Sequence, residues 1–139
     1  MAKKWRGPEL VKEIDKALDK GLALFLTETQ SNLSKASPVD TGRLASSWVI
    51  GKGAPNREVE PERDGPGAVS VTNQYNDSEI TMDSNWFISN NLPYARRAAY
   101  DPGYVGRSGG GAGDWFTRIE NSLDKDADKA FDFYLRKIK

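Results

Sequence analysis

Ser37-Pro38-Val39-Asp40-Thr41-Gly42-Arg43-Leu44, running on through Ala45-Ser46-Ser47 to Trp48, is the stretch on which the fold turns. The proline ring clashes with a continuing helical turn and pushes Ser37 out of the α region, so a helix arriving from the N-terminal side must end here. Asp40 and Thr41 carry short oxygen side chains that bond nearby backbone N–H groups, which suits a turn or a new cap. Gly42 tolerates a positive φ. Arg43 and Leu44 add one charged and one apolar anchor, and Trp48-Val49-Ile50 opens a β-like run. The stretch reads as a hinge between helix and sheet.

On its N-terminal side, Gly7 suits a cap and Pro8 a first helical position, where the missing N–H costs nothing. Leu10, Ile14, Leu18, Leu22, Phe25, Thr29 and Leu33 recur at steps of three and four, widened by Val11, Ala17 and Leu26. That spacing predicts one long amphipathic helix over 8–36. Opposite charges one turn apart (Glu9 and Lys12, Lys12 and Asp15, Lys16 and Asp19) belong to its exposed side. Gly21 costs about 1 kcal/mol against alanine in a helix, which points to a close helix contact at that position.

On the C-terminal side a strand is expected over 46–51, with Trp48 and Ile50 on one face and Ser47 and Val49 on the other. Residues 53–66 hold Gly, Pro, Asn, Glu and Arg without apolar period, the pattern of an exposed, mobile loop. A short strand is expected over 68–72 and a turn over 73–77. From Ile80 the alternation of Ile80, Met82, Trp86 and Ile88 predicts a single half-buried strand, ended by Asn91-Leu92-Pro93. Phe87 breaks the pattern on the polar face, where it meets either a partner or a loop folded over it. Residues 94–100 favour helix. Residues 106–113 are glycine-dense and flexible unless clamped. Asp114 caps a second long helix, whose stripe is Phe116, Ile119, Leu123, Ala127, Ala130, Tyr134 and Ile138, supported by Trp115, Phe131 and Leu135. The expected fold is α+β: a small antiparallel sheet packed against two long helices, N-terminal and C-terminal, in one domain over 1–139.

Composition narrows the function classes. Twenty Lys and Arg balance twenty Asp and Glu, against the basic excess usual in a dedicated nucleic-acid binder. There is no cysteine and no histidine, so thiolate metal sites, Cys/His and Ser/His/Asp catalysis are all impossible. The longest apolar patch, Leu22 to Leu26, is far too short to cross a bilayer, and no membrane partner is expected. A mean hydropathy of −0.66 is polar for a chain of this size, as in a protein completed by its neighbours or in an ordinary domain with one disordered loop. The glycine run lacks the Gly-Lys-Ser/Thr ending of a phosphate loop, and Asp114 puts a carboxylate where phosphate would sit. Asp124, Asp126 and Asp128 diverge on a helix and cannot share one ion. No cofactor and no enzymatic activity are expected. Arg96 and Arg97 beside Tyr94 and Tyr100 form the one basic–aromatic cluster, able to stack or to grip a carboxylate or phosphate. The neutral chain favours a subunit contact there. Arg43 has the same two options beside a structural salt bridge.

Two motifs carry a resemblance. Pro38-Val39-Asp40-Thr41-Gly42-Arg43-Leu44, followed by the Ser47-Trp48 strand, resembles the opening signature of the tail-completion, or head–tail joining (neck), proteins of tailed bacteriophages, of the minor tail protein Z type. Asn91, Pro93, Tyr94 and Ala95 match the strand end of that family, written Asn-x-x-Pro-Tyr-Ala when Asn90 is counted as its first residue. The family's following Glu-Tyr-Gly element is replaced here by Ala99-Tyr100-Asp101-Pro102-Gly103. The resemblance implies a structural virion protein in the neck or tail, assembled in the host cytoplasm. It implies a ring of identical copies, a hexamer or other closed ring, around the DNA channel, touching head-connector and tail proteins and lying near packaged DNA. Phe87, Arg96, Arg97, Tyr100 and Arg107 are the expected subunit-interface residues. The rival reading is a nucleic-acid-binding accessory domain built on an Arg/Tyr patch.

Overall fold

The computed structural model describes residues 5–37, 43–57, 75–93, 95–101 and 114–138. Among these the elements run α1 (Gly7–Ala36), α2 (Arg43–Ser46), β1 (Trp48–Lys52), a 3-10 turn (Asp77–Glu79), β2 (Trp86–Asn90), α3 (Ala95–Tyr100) and α4 (Trp115–Leu135). Two long helices and a two-stranded antiparallel sheet make the fold α+β, as expected. The expected strand over 68–72 and the glycine run over 106–113 lie outside the described residues.

Helix α1 begins at Gly7, with Pro8 in its first turn and Arg6 just before it. Arg6 reaches back over that turn to Glu9 at 3.7 Å and Glu13 at 3.4 Å. The helix ends where Pro38 requires: Ser37 is extended, at φ −61° and ψ 143°. Thirty residues give α1 a length of roughly 45 Å.

The buried face of α1 differs from the expected stripe. Ala17, Gly21, Ala23, Leu26, Thr29, Gln30, Leu33 and Ser34 are buried. Leu10 and Val11 are 39% and 57% exposed, and Ile14, Leu18, Leu22 and Phe25 are half-buried. The reason is the close approach of α4. A Cβ on Gly21 would lie 2.6 Å from Phe131 Cδ1 and 3.0 Å from Phe131 Cα. Small residues therefore occupy the line of contact, and the larger ones flank it. At the other end of the pair Leu33 packs with Trp48, Ala99 and Trp115, so α1 and α4 run antiparallel.

β1 pairs with β2 in the register Trp48↔Asn90, Ile50↔Ile88 and Lys52↔Trp86. This face, carrying Trp48, Ile50, Trp86 and Ile88, turns toward the helices, where Ile50 packs with Ala23, Leu26 and Ile80. The expectation of one strand from Ile80 to Ile88 is corrected. Ile80 is fully buried, but the following residues form a turn and pairing starts only at Trp86. Two local bonds and one from α1 account for the break. The Thr81 hydroxyl bonds the Asp83 carboxylate, Met82 N–H donates to Asp19 Oδ1 at 2.8 Å, and Trp86 Nε1 donates to Thr81 O at 2.7 Å. Short polar side chains here offer the backbone an alternative to a ladder. The first strand likewise starts at Trp48 and not at Ser46, because Arg43–Ser46 is a single helical turn.

Candidate subunit interface

The hinge after α1 leads into a buried polar relay. Trp48 Nε1 donates to Ser37 Oγ at 2.8 Å, and Ser37 Oγ donates to Leu33 O at 2.5 Å. Gln30 Nε2 donates to Trp48 O at 2.8 Å. The end of α1 is thereby locked to the start of β1. Trp48 also stacks on Phe116 with centroids 6.1 Å apart and meets Trp115 edge-on at 6.4 Å. Leu44 is buried with Leu92 and Ala98, against which Ala95 packs, so the two motifs meet in space. Asn90 Nδ2 strengthens that contact by donating to Leu44 O at 2.8 Å. Pro38, Asp40, Thr41, Gly42, Tyr94 and Arg107 lie outside the described residues, as does the side chain of Arg43. Asn91 is half-buried and Pro93 exposed.

Helix α3 presents the basic–aromatic cluster. Ala98 and Ala99 face inward, and Trp115 Nε1 donates to Ala98 O at 3.0 Å. Helical geometry then places Arg96, Arg97 and Tyr100 on the outward arc, and all three are exposed, Tyr100 by 58%. The Tyr100 ring meets Phe116 edge-on at 5.3 Å, which anchors the cluster to α4. Arg97 Nε lies 3.4 Å from Asp101 Oδ2, a carboxylate that lowers the positive charge of the patch.

Phe87 is 36% exposed on the sheet face away from the helices, opposite Gly51. Residues 54–56 fold over that face. A Cβ on Gly51 would lie 2.3 Å from Ala54 O and 2.5 Å from Asn56 N. Asn56 O accepts from Ser89 Oγ at 2.9 Å and from Asn91 Nδ2 at 2.5 Å, and Asn56 Nδ2 donates to Ile50 O at 3.4 Å. Sequence reasoning expected 53–66 to be a loop; its first part is tied to the sheet through Asn56, and residues 58–66 lie outside the described residues.

Two features escaped the sequence reading. An apolar cavity of 300 Å³ lies between α1, the sheet and α4, lined by Phe25, Leu33, Trp86, Ile88, Phe116 and Leu123 among others. A cleft of 450 Å³ between the first half of α1 and the end of α4 is lined by Lys16, Lys20 and Lys137. Neither has a signal in a linear pattern, because each is a space between elements. Among the described residues no group of acidic side chains is placed to hold a metal ion, and no helix is long and apolar enough to cross a membrane.

The arrangement defines a small α+β domain whose exposed features are an arginine–tyrosine arc and clefts between helices. Residues 2–96 match the model of the family described as "Bacteriophage HK97-gp10, putative tail-component", which spans more than half of the chain and takes in both motifs. The chain belongs to that family of phage tail components. No curated protein and no solved structure matches it.

Proposed function

We propose that the chain is a structural subunit that completes the phage tail or joins it to the head, of the minor tail protein Z type. In this reading it acts as one of several identical copies closing a ring around the DNA channel. The observation that carries the proposal is the match of residues 2–96 to a phage tail family. The surface supports it. Phe87, Tyr100 and the arginine arc are exposed, and an apolar cavity remains between helices and sheet, where a neighbour can supply packing. Neighbouring connector and tail rings are the remaining partners, and the work is mechanical, without a catalytic step.

The test is a phage lacking the gene. Purified particles should contain the protein at several copies each, and the deletion should leave heads and tails unjoined or tails incomplete by electron microscopy. Normal joined particles from the deletion, or absence of the protein from purified virions, would overturn the reading.

A further inference from the structure

The two long helices carry matching rows of opposite charge. Lys12, Lys16 and Lys20 lie at steps of four on α1, and Glu120, Asp124 and Asp128 lie at steps of four on α4; all six are exposed. Step-four rows are the ridges through which helices interdigitate when they cross at about 50°. Several neighbouring charges are already engaged elsewhere. Arg6 holds Glu9 and Glu13, and Asp19 accepts the Met82 N–H. On α4, Asp114 holds Arg118 and Asp132 holds Arg136. Among the described residues none of the six has an ion-pair partner, although the Lys20 ammonium lies 6.0 Å over the Tyr134 ring.

The rows do not satisfy each other along the helix pair. Lys20 sits beside Tyr134, and Glu120 lies roughly 20 Å further along α4, by the helical rise between the two positions. Lys16 and Lys20 of that row also border the 450 Å³ cleft, where Lys137 adds a further cation, Glu13 lies paired with Arg6, and Ala17, Tyr134 and Ile138 add apolar wall. A closed ring of more than two copies needs two different surfaces that complement each other, because only a dimer can use one self-complementary patch.

We propose that Lys12, Lys16 and Lys20 of one copy receive Glu120, Asp124 and Asp128 of the next, with the acidic side chains entering the cleft, as the head-to-tail contact of the ring. The inference rests on the ring reading above and names the surfaces that meet. A second copy is favoured over nucleic acid because the same neutral chain supplies both halves of the charge match.

Charge exchange tests it in the full-length protein. One variant carries Lys12→Glu, Lys16→Glu and Lys20→Glu; the other carries Glu120→Lys, Asp124→Lys and Asp128→Lys. Each alone should lower the yield of joined particles by about tenfold or more, since mismatched rim charges repel. Combined in one chain the six exchanges should restore it, because every contact is then paired with its signs reversed, whatever the number of copies. Normal yield from either variant alone overturns the proposal, as does loss without rescue when both variants melt near the wild type. If the lysine variant loses DNA retention in a gel while the carboxylate variant stays normal, the row faces DNA and the proposal is wrong. A second readout avoids mutation. Carbodiimide treatment of mixed ¹⁴N- and ¹⁵N-labelled wild-type protein should give hybrid-mass peptides joining these lysines to these carboxylates. Crosslinks confined to other carboxylates, or no hybrid-mass product, overturn the contact. Absence of the wild type from virions would instead remove the tail function and leave this readout interpretable.

Discussion

Ser37 is the residue at which the chain's local and long-range requirements meet. Its backbone is extended because Pro38 follows, and its buried hydroxyl both accepts from Trp48 Nε1 and donates to Leu33 O. Removing the hydroxyl leaves an indole N–H unsatisfied in the core, which costs about 1–3 kcal/mol. Ser37→Ala should therefore lower unfolding stability by that amount in urea titration, with Trp48 fluorescence reporting the same transition. Unchanged stability would show that water reaches the indole. Asp83 offers a titration test. The Thr81 hydroxyl, assisted by Ser84 and Lys52, holds its carboxyl below the ordinary value of 3.8, against the opposing effect of desolvation. A depressed folded pKa means the interaction is fully present above 3.8 and is lost as pH falls through the lower folded value. Thr81→Val should move the Asp83 carboxyl resonance midpoint in NMR titration up toward 3.8. An unshifted midpoint would assign the effect to the other groups.

At the scale of elements, two glycines mark places where backbone meets packed structure. Gly21 lets α1 and α4 approach until Phe131 fills the space a side chain would take. A β-carbon there gains about 1 kcal/mol of helix propensity but must displace a ring and a backbone atom, and overpacking costs about 1–3 kcal/mol. Gly21→Val adds a branched side chain without the propensity gain of alanine, so stability should fall by roughly 2 kcal/mol or more. Chemical denaturation measures this, and a wild-type midpoint would mean the helices separate at no cost. Gly51 has no such choice, because its obstacles are the Ala54 carbonyl and the Asn56 amide. Gly51→Ala should release residues 54–56 from the sheet. The measurable result is faster amide exchange there and earlier tryptic cleavage after Arg57, with α1 and α4 still protected. Unchanged exchange would show that the strand shifts in place of the loop.

For the whole molecule, the distinction is between charges that stabilise the domain and charges that select a neighbour. Arg96 and Arg97 are exposed, and the Arg97–Asp101 pair is of the surface kind that contributes between nothing and about 1 kcal/mol. Replacing both with Glu should leave the melting temperature within a few degrees of wild type. The same variant should block particle completion, since rim charges steer partners more than they hold a domain together. Joined, infectious particles at the normal level would remove α3 from the interface. The long α1 bears on the same point. Leu10 and Val11 in its first turns are exposed, as is Trp5 just before it, so that end of the helix is less covered than its middle.

What the sequence determined by itself was every feature governed by near neighbours. Pro38 stops α1 at Ser37, Pro8 marks its first turn, the step of three and four along 115–138 predicts α4 and its stripe, and residues 94–100 favour the helix found at Ala95–Tyr100. The clustering of Arg96, Arg97 and Tyr100 on that helix was equally legible, but their outward placement was set by the burial of Ala98 and Ala99 against Trp115. Tertiary structure decided the rest. The face of α1 that is buried was set by how close α4 could come at Gly21, and the strand expected from Ile80 broke because Asp19, far along the chain, caps the turn at Met82. Gln30 entered the core because Trp48 O needed a donor, and Gly51 became indispensable because residues 54–56 cross it. These outcomes depend on partners brought from elsewhere in the chain, and a periodic pattern records what a segment can bury but not which neighbour arrives to bury it.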